Sequence, residues 1–166
     1  MPTRIIVRAF DRGLVRRSSF ACGRPELDRW LVERADGRGT LLAVDAATDR
    51  VAGYLAAGRY RFAPADGDRP ADGHGGTPPV PAVLVRSAVA RDYRHRGVGR
   101  LLLLDALHRM DRAADPWFRL VVVHALDEAA ARFYGRHGFQ RLADHRLTLY
   151  LTDRRLRGTA RPGGAP

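Results

Sequence analysis

Residues Arg94-His95-Arg96-Gly97-Val98-Gly99-Arg100 follow an apolar run, 82–90 (AVLVRSAVA), and open a second one, LLLL at 101–104. The first amides of a helix have no partner within it and carry partial positive charge. Glycines at 97 and 99 leave no side chain to hold an anion away from the backbone. Arg94, Arg96 and Arg100 add mobile positive charge, and His95 lies beside them. These residues suit a cradle for a phosphate or pyrophosphate. The segment lacks the G-K-[ST] of a Walker loop and holds only two glycines of the dinucleotide fingerprint. A plain glycine turn opening a helix explains the same residues equally well. His74, His95, His108, His124, His137 and His145 show no ligand spacing that pairs with a carboxylate, so no metal is expected. His124, on an apolar run, is expected as a hydrogen-bonded core residue. The lone cysteine, Cys22, excludes an internal disulfide and a cysteine-built zinc site.

Positioning these groups requires a folded frame. The chain has 166 residues, 45% of them hydrophobic and 28% charged, which fits one soluble domain with its own core. No apolar stretch approaches the roughly 18 residues of a membrane span. The opening MPTRIIVRAFDRG lacks an apolar signal core, so a cytoplasmic location is expected. Net charge is +11, every basic residue is arginine, and the positive blocks are 1–24, 86–112 and 132–166. Such a balance suits an anionic partner, nucleic acid included.

The pattern predicts a strand at 4–10 and a helix over 24–36. Pro25 suits that helix's first turn, and Leu27, Trp30, Leu31 and Ala35 share a face. Asp28 and Glu33 are expected on its solvated side. A hairpin joins 40–45 to 51–62. Residues 63–79, rich in Pro, Gly and Asp, are expected to form a flexible loop. A buried strand follows at 82–90, then a helix from about Val98 to Met110 and a strand at 118–125. Asp127 can cap a helix running to about His137, and two short strands close the pattern. The expectation is a single α+β domain over residues 1–152, its mixed sheet flanked by helices. A basic tail, 153–166, completes the chain.

The stretch AVLVRSAVARDYRHRGVGRLLLLDAL resembles the acyl-CoA-binding motif of the Gcn5-related N-acetyltransferase (GNAT) superfamily. VVVHALDEAAARFYGRHGF resembles its next strand and helix, with Phe133, Tyr134, Gly138 and Phe139 matching an F-Y-x-x-x-G-F ending. A narrower resemblance adds the N-terminal part. Phe20-Ala-Cys22-Gly23 and Leu27-Asp28-Arg-Trp30-Leu31 look like the F-x-C-G…L-D-x-W-L opening of the acetyltransferase toxins of type II toxin–antitoxin modules. Together these stretches cover about residues 10–151. The strand before the loop departs from that branch's L-G-R-L-A-V, reading Leu84-Val85-Arg86-Ser87-Ala88-Val89.

The resemblance implies a GNAT-like fold with a mostly antiparallel sheet and an acetyl-CoA co-substrate. Pyrophosphate would sit on amides from Arg94 to Arg100, and pantetheine would pair with the strand at Ala88, Val89 and Ala90. A strand amide there would stabilise the oxyanion. Tyr134 would be the general acid toward the departing thiolate. Phe133 is expected in the core. The acceptor implied is the amino group of aminoacyl-tRNA, with translation stopped as the consequence. Arg16, Arg17, Arg86 and Arg91 are candidate tRNA contacts. A ribbon-helix-helix antitoxin and a homodimer are implied as well. Two other readings stand beside this one: an acetyltransferase for a small amine or protein N-terminus, and a non-catalytic nucleotide-binding module.

Overall fold

The computed structural model describes residues 3–62, 80–113, 115–143 and 145–152. The expected loop 63–79 and tail 153–166 lie outside them. Helices and strands mix along the chain: β1 (Ile5–Ala9), α1 (Arg12–Arg17), α2 (Pro25–Glu33), β2 (Thr40–Asp45), β3 (Arg50–Phe62), β4 (Val80–Val89), α3 (Val98–Ala113), β5 (Leu120–His124), α4 (Glu128–Gly135), β6 (Gln140–Arg141) and β7 (Thr148–Thr152). The strands form a seven-stranded sheet in the order β1-β2-β3-β4-β5-β7-β6. The β1–β2, β2–β3, β5–β7 and β6–β7 pairings are antiparallel, and β4–β5 is parallel. The fold is α+β, as expected. Among the described residues no helix is long and apolar enough to cross a membrane.

Two compact units divide the chain. The first comprises Met1–Ala57 and Arg86–Ala106, the second Gly58–Val85 and Leu107–Pro166. In the first, Leu14, Leu31, Leu42, Val44, Tyr54, Leu55, Leu102 and Leu103 are fully buried. Proline at its first turn starts α2, and Leu27 and Leu31 form its buried stripe. Asp11 caps the short α1 by accepting from the Leu14 amide at 2.9 Å. That helix is absent from the sequence-based expectation; six residues are too few for a helical period to stand out. Between β2 and β3 the register slips at Ala43/Val44, leaving Ala52 as an extra residue.

In the second unit Val121, Val122 and Val123 pair with β7 along a ladder from Leu120↔Thr152 to His124↔Thr148. Phe62, Ala82, Val122 and Leu142 pack as a buried cluster. The parallel ladder of β4 with β5 covers Val83↔Val121 to Val85↔Val123, and β4 continues to Val89. A 3-10 turn at Pro116–Arg119 shortens the expected strand 118–125 to Leu120–His124.

Candidate functional site

Sequence places the glycine–arginine turn between β4 and α3, and the first unit holds it there. The first helical bond of α3 runs from the Leu101 amide to the Gly97 carbonyl, at 2.9 Å. The amides of Val98, Gly99 and Arg100 therefore precede the ladder and belong to the electropositive helix end. Gly97 has φ +76°, a conformation that disfavours any side chain, and a Cβ there would face open space. His95, at φ +59°, is also left-handed, which is unusual for a residue with a side chain. Val98 is buried and anchors the helix start, while Arg94, His95, Arg96 and Arg100 are exposed. The amides, the glycine and the exposed arginines fit the demands of a diphosphate.

The arginines differ in their engagements. The Arg94 guanidinium donates to the Cys22 carbonyl. That of Arg96 lies 5.7 Å from the Tyr93 ring centre and 3.3 Å from the Thr3 hydroxyl. Upstream, Ala88 and Ala90 are buried and Val89 is half-buried. The Ala90 amide donates to the carbonyl of the bulge residue Ala52 at 2.8 Å. It is thereby engaged with β3, and since amides along a strand alternate in direction the Ala88 amide faces β3 too, which turns attention to Val89 for a strand amide facing a ligand.

Two residues missed in the sequence secure this turn. Tyr93 is buried, and its hydroxyl donates to the buried Asp45 carboxylate at 2.8 Å. Asp45 also accepts from the Ala47 amide at 3.0 Å. These donors hold its carboxyl below the usual carboxylate range, the amide first and the Tyr93 hydroxyl next. An acidic residue ending an otherwise apolar strand, TLLAVD, was the available signal.

The Phe20–Gly23 signature lies against the same turn. Cys22 is buried, and burial chiefly, with Asp28 adding to it, pushes its thiol up to about 11. Such a thiol is no nucleophile at neutral pH. Asp28 departs from its expected solvated role: half-buried, it accepts from the Cys22 amide at 2.8 Å. Glu33 is exposed as expected.

Of the candidate tRNA arginines, Arg16 and Arg17 end α1, and Arg17 lies 3.7 Å from Asp49. Arg86 sits 5.0 Å from the Trp30 ring centre; Trp30 in turn stacks on Tyr54. The Arg91 guanidinium lies against Gly23.

Tyr134 belongs to the second unit. It is buried on α4, edge-on to Phe133 at 5.1 Å and to Phe139 at 5.4 Å. Asp127 caps this helix through the Ala130 amide at 2.8 Å, as its position predicted. Phe133 is half-buried and contacts His137. His124 corrects an expectation. Its Nδ1 lies 3.0 Å from the Thr148 hydroxyl, but the side chain is exposed, because β5 ends there. Among the described residues no group of three His, Cys, Asp or Glu side chains could hold a metal ion.

A family model described as an acetyltransferase (GNAT) domain matches residues 36–141. A tRNA-acetylating toxin of Mycobacterium tuberculosis (strain ATCC 25618 / H37Rv) is 37% identical over 130 residues, covering 74% of this chain and 77% of its own. Two solved structures share the fold. AtaTR bound with acetyl-CoA gives a TM-score of 0.72 at 19% identity, over 95% of this chain and 98% of its own. AtaT complexed with acetyl-methionyl-tRNAfMet gives 0.70 at 19% identity, over 93% and 98%. The chain belongs to the GNAT acetyltransferase family. It is an acetyl-CoA-dependent N-acetyltransferase.

Proposed function

We propose that this chain is the toxin of a toxin–antitoxin pair, moving acetyl from acetyl-CoA to the amino group of an aminoacyl-tRNA and so blocking translation. Residues 1–152 act as one catalytic domain in the cytoplasm, as a homodimer restrained by a ribbon-helix-helix antitoxin. The carrying observation is the turn at 94–100, whose helix-end amides and left-handed Gly97 suit a diphosphate, in a chain related to a tRNA-acetylating toxin.

Acetyl-CoA supplies a thioester whose acetyl group is open to attack by an amine. The amides of residues 94–100 hold its diphosphate, and Arg96 and Arg100 add charge. The main chain at Ala88–Val89 orients the pantetheine by strand-like hydrogen bonds. An amide there also donates to the carbonyl oxygen as it gains negative charge. As the amine nitrogen bonds to the carbonyl carbon and the C–S bond breaks, Tyr134 donates its phenolic proton to the leaving sulfur; the nitrogen sheds one proton to solvent, and Tyr134 regains one from it. β4 contains no carboxylate, so no base is built into it. A lysine side chain, with a pKa near ~10.4, would need one; the less basic amine of an aminoacyl ester needs little help. The absence favours the aminoacyl-tRNA acceptor over a protein lysine. Arg16, Arg17, Arg86 and Arg91 contact the RNA backbone.

Expression in bacteria of the wild type beside Tyr134→Phe tests this reading. Growth arrest with the wild type alone, together with acetylated aminoacyl-tRNA in the arrested cells, is the expected result. Healthy growth in both cultures, with wild-type enzyme acetylating free amines, would replace it with the small-amine reading. Protein that binds acetyl-CoA and transfers acetyl to no amine would make it a binding module.

A further inference from the structure

We infer that the Phe20–Gly23 segment is a brace for the anion-binding turn, and that Gly23, Asp28 and Arg94 are positioning residues that set the affinity for acetyl-CoA. This inference rests on reading residues 94–100 as the acetyl-CoA loop. Three consecutive residues of the segment meet Arg91 and Arg94, which lead into that turn, two of them through their carbonyls. The Ala21 carbonyl accepts from the Arg91 amide at 3.0 Å. The Cys22 carbonyl accepts from the Arg94 guanidinium. Gly23, at φ +90°, admits the Arg91 guanidinium so closely that a Cβ would lie 2.7 Å from its Nε. From behind, Asp28 on α2 holds the Cys22 amide at 2.8 Å.

The turn has need of such support. His95 is left-handed without being glycine, and such residues persist where neighbouring structure over-determines them. The Arg94 bond fixes the residue immediately before it. The Tyr93–Asp45 bond fixes the one before that. Glycine is favoured at 23 by its φ, and a Cβ there would in addition force the end of the Arg91 side chain to move. This gives a physical reason for the glycine of the F-x-C-G signature and needs no chemistry from the thiol.

Gly23→Ala and Asp28→Ala test the brace, with acetyl transfer from acetyl-CoA to bulk aminoacyl-tRNA as the assay. Gly23 carries no charge itself, but a Cβ there would push the Arg91 guanidinium aside, so Arg91→Ala is assayed beside it as the control for a lost RNA contact. Removing the Asp28 carboxylate would tighten anion binding if only charge mattered; bracing demands the opposite sign. We expect KM for acetyl-CoA to rise roughly tenfold in both variants, with kcat within about twofold of wild type. With acetyl-pantetheine, which lacks the diphosphate, kcat/KM should match wild type. Loss of kcat with both donors, or tighter acetyl-CoA binding in Asp28→Ala, would overturn the brace. Should Gly23→Ala fail to fold, Asp28→Ala still decides through its sign. Gly97→Val separates the two levels. If it leaves acetyl-CoA binding unchanged, the loop assignment itself fails. If it weakens binding while both brace variants bind normally, the brace alone fails.

Discussion

At the scale of single residues, the site depends on buried polar groups that bond to one another rather than to solvent. Asp45 is the plainest case, because its carboxylate accepts from the Tyr93 hydroxyl and the Ala47 amide. Both donors favour the charged form, so the folded protein holds this carboxyl below its ordinary range. A carboxyl lowered by folding adds stability that is fully present above its unfolded pKa, about 3.9, and is lost as pH falls through the folded value. Chemical denaturation followed from pH 6 to pH 3 should therefore show a loss of stability that is smaller in Asp45→Asn than in the wild type. Tyr93→Phe removes one of its donors, leaving the Ala47 amide and Thr48, and should fall between them. Equal losses in all three proteins would show that this carboxyl is not coupled to folding. Sign is the useful part of the test: the variant is weaker at neutral pH, yet less sensitive to acid.

Elements follow local rules where the rules have room to act. Asp127 caps α4 by accepting from the Ala130 amide at 2.8 Å, and Glu128, one residue on, pairs with Arg141 at 2.8 Å. Asp127→Ala leaves that helix end without its side-chain acceptor, at a cost of about 1 kcal/mol, whereas Asp127→Ser should retain most of it. Urea unfolding of the three proteins measures this, and an unchanged midpoint in Asp127→Ala would refute the cap's contribution. The same contrast explains what was legible in the sequence. The D-E pair before an apolar helical stripe announced α4, and Thr40–Asp45 stood out as a strand because its apolar run is bounded by polar turns. Helix α3 outran its expected end, reaching Ala113, since no glycine or proline stops it after Met110. The short α1 escaped notice, although Asp11 ahead of Leu14 was a readable cap. Within the candidate site, the glycines and the buried strand were visible in the pattern, and the partners of the charged groups were not. Arg94 bonds to a carbonyl 72 residues away, and Tyr93 to a carboxylate 48 residues away. No spacing rule reaches that far, and main-chain partners leave no mark on residue identity. That is why Asp28 passed for a solvated residue and Arg94 for a mobile charge.

For the whole molecule, the governing quantity is charge. The chain carries +11, with every positive side chain an arginine. Several arginines are already engaged with carboxylates, as in Arg59–Asp115 at 3.0 Å and Arg8–Asp49 at 3.4 Å. Exposed pairs of this kind are worth about 0–1 kcal/mol, so they can yield to a polyanion at little cost. Binding to tRNA would release counterions from the phosphates, which makes affinity fall as a power of salt concentration. If Arg16, Arg17, Arg86 and Arg91 each meet one phosphate, the slope of log K against log salt is roughly −3 to −4. Affinity for bulk tRNA should then fall about a hundredfold between 50 and 200 mM salt. Replacing any one of the four by alanine should flatten the slope by about one unit and weaken binding alike for all tRNA sequences, because phosphates carry no sequence information. Filter binding or fluorescence anisotropy across that salt range checks both statements. A flat response in the wild type would remove charge as the basis of RNA capture. A wild-type slope as steep as expected, left unchanged by all four substitutions, would move the contact to other arginines of the chain.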